Sequence, residues 1–188
     1  MTLLALLRHA ETAWSAQGRI QGRSDVALSG SGRGQLRGRT LPPQCSGMKI
    51  VTSPLARCVE TAELLGAPQA EREPRIAEMH WGAWEGRLLE ELRRELGEAM
   101  RQNEARGLDF RPDGGESPRE VLSRVEIWMK EIKTPTLAVT HRGVIRVVLA
   151  AATGWDMIGP PPAKLDWGAV HLFRLSAGRP GIERLNVR

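Results

Sequence analysis

Leu3-Leu4-Ala5-Leu6-Leu7-Arg8-His9 is an unbroken apolar run that ends abruptly in two basic residues. A short run without polar alternation suits a strand buried on both faces, as in a parallel α/β sheet. Met48 to Thr52 and Thr136 to Thr140 are the second and third strand candidates, the first stopping at Ser53 and the second at His141. Helical signals lie between these strands. Ser29 can cap a weak, glycine-interrupted helix through Gln35 and Leu36. Ser53 and Pro54 read as an N-cap and first helical residue, opening a helix through Ala56, Val59, Ala62 and Leu65 that Gly66 closes. Leu88, Leu89, Leu92, Leu96 and Met100 keep helical spacing among charges. Ser117-Pro118-Arg119-Glu120 is a capping box that starts a helix carrying Val121, Leu122, Val125, Trp128 and Met129. Val144 to Ala152 predicts a buried helix closed by Gly154, Pro160 to Pro162 a loop, and Ala169 to Leu175 a further strand. Strands alternating with helices predict a three-layer α/β/α sandwich around a mainly parallel sheet.

The 188 residues fit one domain, 1–188, and residues 81–115, mostly polar helix and turn, read as a small cap-like insertion over a site. The net charge is +5 and the isoelectric point about 10. Such a balance attracts anions, phosphate esters or nucleic acid among them, although an arginine excess over lysine also arises from coding bias. Cys45 and Cys58 are too far apart for a C-x-x-C pair. Neither opens a Cys-x5-Arg phosphatase loop, because Val51 and Leu64 hold the key positions. Two reduced thiols, an apolar start too short for a signal segment and no stretch long enough to span a membrane together predict a cytoplasmic protein.

Three strand candidates end at polar residues: Arg8-His9, Ser53 with Arg57 a helical turn on, and His141-Arg142. Ligands of open α/β sheets bind beyond the carboxyl ends of the strands. If these strands are parallel neighbours, two imidazoles and several guanidiniums meet in one crevice, whose natural guest is a phosphate ester. Guanidinium forks match phosphate oxygens, and such charge-assisted bonds are roughly twice as strong as neutral ones. Arginines beside an imidazole hold it neutral, leaving a lone pair to attack phosphorus.

Six segments in order sharpen this. They are Arg8-His9-Ala10-Glu11-Thr12; Gly18 to Gly22 with Asp25 to Ser29; Ser53-Pro54-Leu55-Ala56-Arg57 with Thr61-Ala62; Glu78 with Gly82, Trp84, Glu85 and Gly86; Gly114-Gly115-Glu116-Ser117; and Val139-Thr140-His141-Arg142-Gly143. Together they resemble the histidine phosphatase superfamily, the phosphoglycerate mutase-like fold. The resemblance implies that His9 attacks phosphorus and becomes a phosphohistidine. It also implies that Arg8, Arg57 and His141 hold the phosphoryl oxygens, and that Glu78 protonates the leaving alcohol and then helps activate water. Arg19, Gln21 and Gly22 are assigned to the substrate side of the pocket. Ser15 stands where many members have an asparagine that contacts phosphate, and Ala10 replaces the usual glycine.

Each residue has a plainer reading when taken singly: His9 a loop histidine, Arg57 an exposed helix arginine, Glu78 a surface carboxylate with Glu73, Glu85 and Glu116 as rivals for the acid role. His80 and His171 read as structural, and Cys58 as core. No P-loop Gly-Lys pair and no acidic metal cluster stand out, so neither metal nor cofactor is expected. The segment after Glu78 lacks the mutases' Y-G-x-L-Q-G-x-N-K element and their longer insertion. That favours a phosphatase acting on monoesters of small phosphorylated metabolites over phosphoglycerate mutase-type transfer. An α-ribazole-5′-phosphate phosphatase of cobalamin synthesis is an alternative the motifs do not separate. A non-catalytic phospholigand or nucleic-acid binder is another, but no nucleic-acid motif appears and neither nucleic acid nor membrane is expected as a partner. The sequence leaves monomer and homodimer open.

Overall fold

A computed structural model describes all 188 residues. In chain order the elements are β1 (Thr2–Arg8), α1 (Ala13–Ala16), α2 (Gly30–Leu36), β2 (Lys49–Thr52), α3 (Ala56–Leu64), β3 (Glu71–Arg72), α4 (Leu89–Glu104), α5 (Pro118–Glu131), β4 (Thr136–Thr140), α6 (Arg142–Thr153), β5 (Val170–Ser176) and β6 (Arg179–Val187). One six-stranded sheet runs in the order β3-β2-β4-β1-β5-β6.

The opening run does what its composition demands. Leu4 and Leu6 on one face of β1 join Ala138 of β4 in a core with Val121 and Val125 of α5 and Val144 and Val148 of α6. Ala5 and Leu7 on the other face join Leu137, Val139 and the α3 residues Cys58 and Ala62. Helices therefore cover both faces of the sheet, in three layers, and the middle of β1 and of β4 is apolar on both faces.

Strands β1 and β2 both pair in parallel with β4, which lies between them. The ladder continues past the strand ends: the His9 amide donates to the Thr140 carbonyl at 3.0 Å and the Ser53 amide to the Val139 carbonyl at 2.9 Å. The residues that follow the three strands are thereby fixed side by side at one edge.

The sheet is mainly parallel as read: the pairings within β3-β2-β4-β1 are parallel, and β1–β5 and β5–β6 are antiparallel. Several details depart from the sequence reading. β6 carries few apolar residues and leaves most of them part-exposed, as an edge strand does, so its sequence gave no strand signal. Helix α3 starts at Ala56, not at Pro54. Its Ala56 amide is capped from outside by Asp25 Oδ1 at 2.7 Å, which leaves Ser53 free for another partner. The Leu88-to-Met100 stripe is broken at Gly97, where φ is 49°, a conformation glycine adopts without steric cost. Residues 81–115 contribute Trp84, Leu92 and Met100, which cluster with Ile20 apart from the two main cores.

The capping box of α5 forms as read: Ser117 Oγ accepts from the Glu120 amide at 3.3 Å and Glu120 Oε2 from the Ser117 amide at 2.9 Å. Ser117→Ala is expected to lower stability by about 1 kcal/mol, seen as a lower urea midpoint with an unchanged slope.

Candidate active site

His9, at the end of β1, is buried, with only 5% of its surface exposed. Its Nδ1 lies 2.7 Å from the Ala10 carbonyl. A carbonyl only accepts, so Nδ1 carries the proton and Nε2 keeps its lone pair. Burial, then the charges of Arg8 and Arg57, holds the imidazole well below the ordinary histidine pKa. The neutral state expected from the neighbouring arginines is thus present, but desolvation is its larger cause.

His141 lies behind His9, with ring centroids 5.3 Å apart. It is fully buried at the N-cap of α6, and its Nε2 is 2.7 Å from Ser53 Oγ. Burial first, then Arg57 and His9, keeps its pKa well below the ordinary range too. Ser53 is a site residue that the sequence reading assigned to the start of a helix. Its place in the Ser53-to-Arg57 motif was the signal available.

Arg57 is also fully buried. Its Nη atoms donate to the carbonyls of Gly22 at 2.8 Å and Ser24 at 3.0 Å. Its Nε, and that of Arg8, are buried without any partner in the protein. Such orphaned donors are rare in folded proteins, and each calls for an acceptor from elsewhere.

Arg8, His9 and Glu78 line one cavity of about 610 Å³. Glu78 and its three rival carboxylates separate cleanly. Glu73 is held below the usual range mainly by its hydrogen bonds from Arg75. Burial would raise Glu85, but the Ser24 hydroxyl and the amides of Arg23, Ser24 and Trp81 outweigh it. Burial would likewise raise Glu116, but Arg124, 2.8 Å away, pulls it down. Glu78 alone is pushed up, by burial that outweighs the Met79 and Gly143 amides and the Arg57 and Arg8 charges. It is the carboxyl able to hold a proton for a leaving group.

The assigned substrate contacts divide. Gln21 lines the cavity and its amide donates to Thr12 Oγ1. Ser15 also lines it, but its hydroxyl donates to the Thr12 carbonyl at 3.1 Å and accepts from the Thr12 amide at 2.9 Å. Its only proton goes to the Thr12 carbonyl, so in this arrangement it offers none to a phosphate. Arg19 lies at the cavity wall, its Nε donating to Gln17 at 2.8 Å and its Nη1 to the Gly86 carbonyl at 2.7 Å. Gly22 is not part of the lining: a Cβ there would overlap Glu85 Oε1, so its smallness serves packing and its carbonyl serves Arg57.

The sequence pattern of the histidine phosphatase superfamily (branch 1) matches residues 4–188. The chain belongs to this superfamily. As a histidine phosphatase it is an enzyme of phosphate monoester hydrolysis. Phosphoserine phosphatase 1 of Hydrogenobacter thermophilus is 34% identical to it over 200 residues, covering 100% of this chain and 93% of the relative. The 2,3-bisphosphoglycerate-dependent phosphoglycerate mutase of Beijerinckia indica is 28% identical, covering 93% and 92%. Among solved structures, Bacillus stearothermophilus YhfR superposes with a TM-score of 0.83 at 26% identity, over 100% of this histidine phosphatase and 98% of that chain. No helix of the chain is long and apolar enough to cross a membrane.

Gly143 shows how tightly Glu78 is held. Its amide donates to Glu78 Oε2 at 3.2 Å, and a Cβ on it would overlap Glu78 Oε1. Gly143→Ala is expected to displace the carboxyl and lower kcat more than tenfold, with an unchanged far-ultraviolet circular dichroism spectrum. Wild-type kcat in that variant would show that Glu78 is not held by this contact.

Proposed function

We propose that this enzyme hydrolyses phosphate monoesters of small metabolites through a phosphohistidine on His9, without a metal. The observation that carries this reading is the neutral His9, its Nδ1 tied to Ala10, beside two arginines whose buried Nε donors lack protein acceptors. A phosphoryl group in front of His9 Nε2 supplies those acceptors.

In the first step His9 Nε2 attacks phosphorus and the P–O bond to the alcohol breaks. Glu78 gives its proton to the departing oxygen. In the second step the Glu78 carboxylate takes a proton from water as that water attacks phosphorus. The P–N bond breaks, and inorganic phosphate leaves. Splitting one displacement into two lowers the barrier of each. The fixed charges of Arg8 and Arg57, already paid for in folding, stabilise charge on the transferring group without reorganisation. His141, anchored by Ser53, sets the back wall against which the His9 ring rests. Water as the acceptor agrees with the absence of the mutases' lysine-bearing segment after Glu78.

The purified enzyme is expected to hydrolyse p-nitrophenyl phosphate in the presence of EDTA. His9→Ala is expected to lose turnover and the acid-labile label left by a radiolabelled phosphoester; a labelled His9→Ala protein would falsify the nucleophile assignment. Strict dependence on an added divalent ion would remove the metal-free mechanism.

The pH profile follows from two opposite shifts. His9 must be neutral to attack, and its lowered pKa keeps it so to pH values below the ordinary 6.5. The acid limb of kcat/KM, corrected for substrate ionisation, is therefore expected below that value. Glu78 must be protonated in the first step, so its raised pKa places the basic limb above the ordinary carboxylate value of 4.5. Glu78→Gln is expected to remove the basic limb and to slow alkyl esters more than activated aryl esters. Equal losses for both ester types would assign the proton to another group.

A further inference from the structure

Helix α6 turns two more arginines toward the cavity of His9. Arg142 and Arg146 both line it and are one helical turn apart, so their side chains share a face. The Arg142 guanidinium lies 4.9 Å from the ring centroid of Trp167, and the Arg8 guanidinium 6.0 Å from the same ring. The Arg146 guanidinium lies 5.2 Å from the centroid of Trp155. Trp155 and Trp167 both belong to the stretch between α6 and β5, so one connection supplies both aromatic supports. These contacts fix the positions of the cations without neutralising them.

Of the other arginines in the cavity wall, Arg8 stands beside His9, while Arg93 and Arg19 have partners of their own. Arg93 forms an ion pair with Glu104 at 2.7 Å, and Arg19 is used by Gln17 and Gly86. Arg142 and Arg146 have no such partner, and Arg146 Nε is buried with none. The carboxyl whose charge acts on Arg146, Glu78, is the one whose burial favours the proton. Arg8, Arg142 and Arg146 repel one another, and that repulsion, after burial, lowers the pKa of both Arg8 and Arg146. Ile20, Trp81, Leu89 and Phe110 add apolar surface to the same lining. An anion on the substrate would therefore lie against α6.

We propose that Arg142 and Arg146, carried on Trp167 and Trp155, form a second anion subsite that binds an anionic group on the leaving alcohol. It rests on the phosphatase reading above and narrows it: the preferred substrates are phosphate monoesters whose alcohol bears a carboxylate or a second phosphoryl group. Arg8 lies between the two subsites and serves the transferring phosphoryl group.

The test uses matched esters. 3-Phosphoglycerate and glycerol 3-phosphate differ by a carboxylate; fructose 1,6-bisphosphate and fructose 6-phosphate differ by a second phosphoryl group. In the wild-type enzyme kcat/KM is expected to favour the anion-bearing member of at least one pair by about ten- to hundredfold, the range charge-assisted hydrogen bonds supply. The responding pair identifies the anion. In the Arg142→Gln/Arg146→Gln double variant that ratio is expected to fall to about one to three, and in the Arg142→Lys/Arg146→Lys variant to lie between. Any loss common to both esters cancels in the ratio, so general damage to the fold does not imitate the effect. A wild-type ratio near one in both pairs, with p-nitrophenyl phosphate turned over, overturns the subsite and leaves the phosphatase reading standing. An unchanged ratio in both double variants overturns it as well, because the arginines then serve only the transferring group. No turnover of any ester by the wild type removes the phosphatase reading and the subsite with it.

Discussion

Arg57 places a positive charge in the interior of the protein, fully buried and with no carboxylate in ion-pair contact. Removing a cation from water costs several kcal/mol even after relaxation. Much of the surrounding architecture answers that cost. The carbonyls of Gly22 and Ser24 turn inward to the guanidinium, and the amides of Arg23 and Ser24 turn outward to Glu85. Glu85 also accepts from the Trp81 amide, so the same carboxylate ties residues 81–115 to this loop. Gly22 is required because Glu85 approaches too closely for a side chain. Asp25, one residue past the loop, caps the helix that carries Arg57. A single buried charge thus links α3, the loop at 22–25 and the cavity wall, and one donor of that charge is left for an arriving anion.

The same desolvation acts in opposite directions on the two groups that must exchange protons with substrate. It lowers His9 and raises Glu78, since burial disfavours whichever form is charged. One dry pocket therefore yields a nucleophile with a free lone pair and an acid that retains its proton, two roles separated by chemical type. The arginines reinforce the first shift and oppose the second, and in both cases burial is the larger cause. When a phosphoryl dianion enters, its charge offsets the arginines and adds to the tendency of Glu78 to hold its proton.

The parallel half of the fold was legible because its signals are local. Leu3 to Leu7 and Leu137 to Val139 are apolar throughout, which suits strands covered on both faces. Their polar endings gave His9 and His141, and the ladder bonds that extend beyond the strands explain why those endings meet. The misread features depend on distant partners. Ser53 and Pro54 are a sound helix start by composition, yet Asp25 supplies the cap and Ser53 turns to His141. Gly22 belongs to a conspicuous motif segment, but its carbonyl is committed to Arg57 and its smallness to the approach of Glu85. Ser15 is similar: a hydroxyl that caps its own helix looks identical in sequence to one that faces a ligand. β6 shows the converse, an edge strand whose position in the sheet rather than its composition makes it a strand.

The basic isoelectric point, ambiguous in the sequence, acquires a location in the fold. Many surface arginines are answered by acids: Arg75 by Glu73 and Glu131, Arg87 by Glu95, Arg119 by Asp109 and Arg174 by Glu183. Exposed pairs of this kind contribute little to stability, and from a distance they present almost no field. Arg8, Arg142 and Arg146 differ, for no carboxylate pairs with them and all three line one concave site. A charge excess confined to a cleft with low-dielectric walls concentrates small anions there. A flat basic stripe would instead be suited to an extended polyanion. The placement of the excess, more than its size, favours a compact phosphorylated metabolite as the ligand.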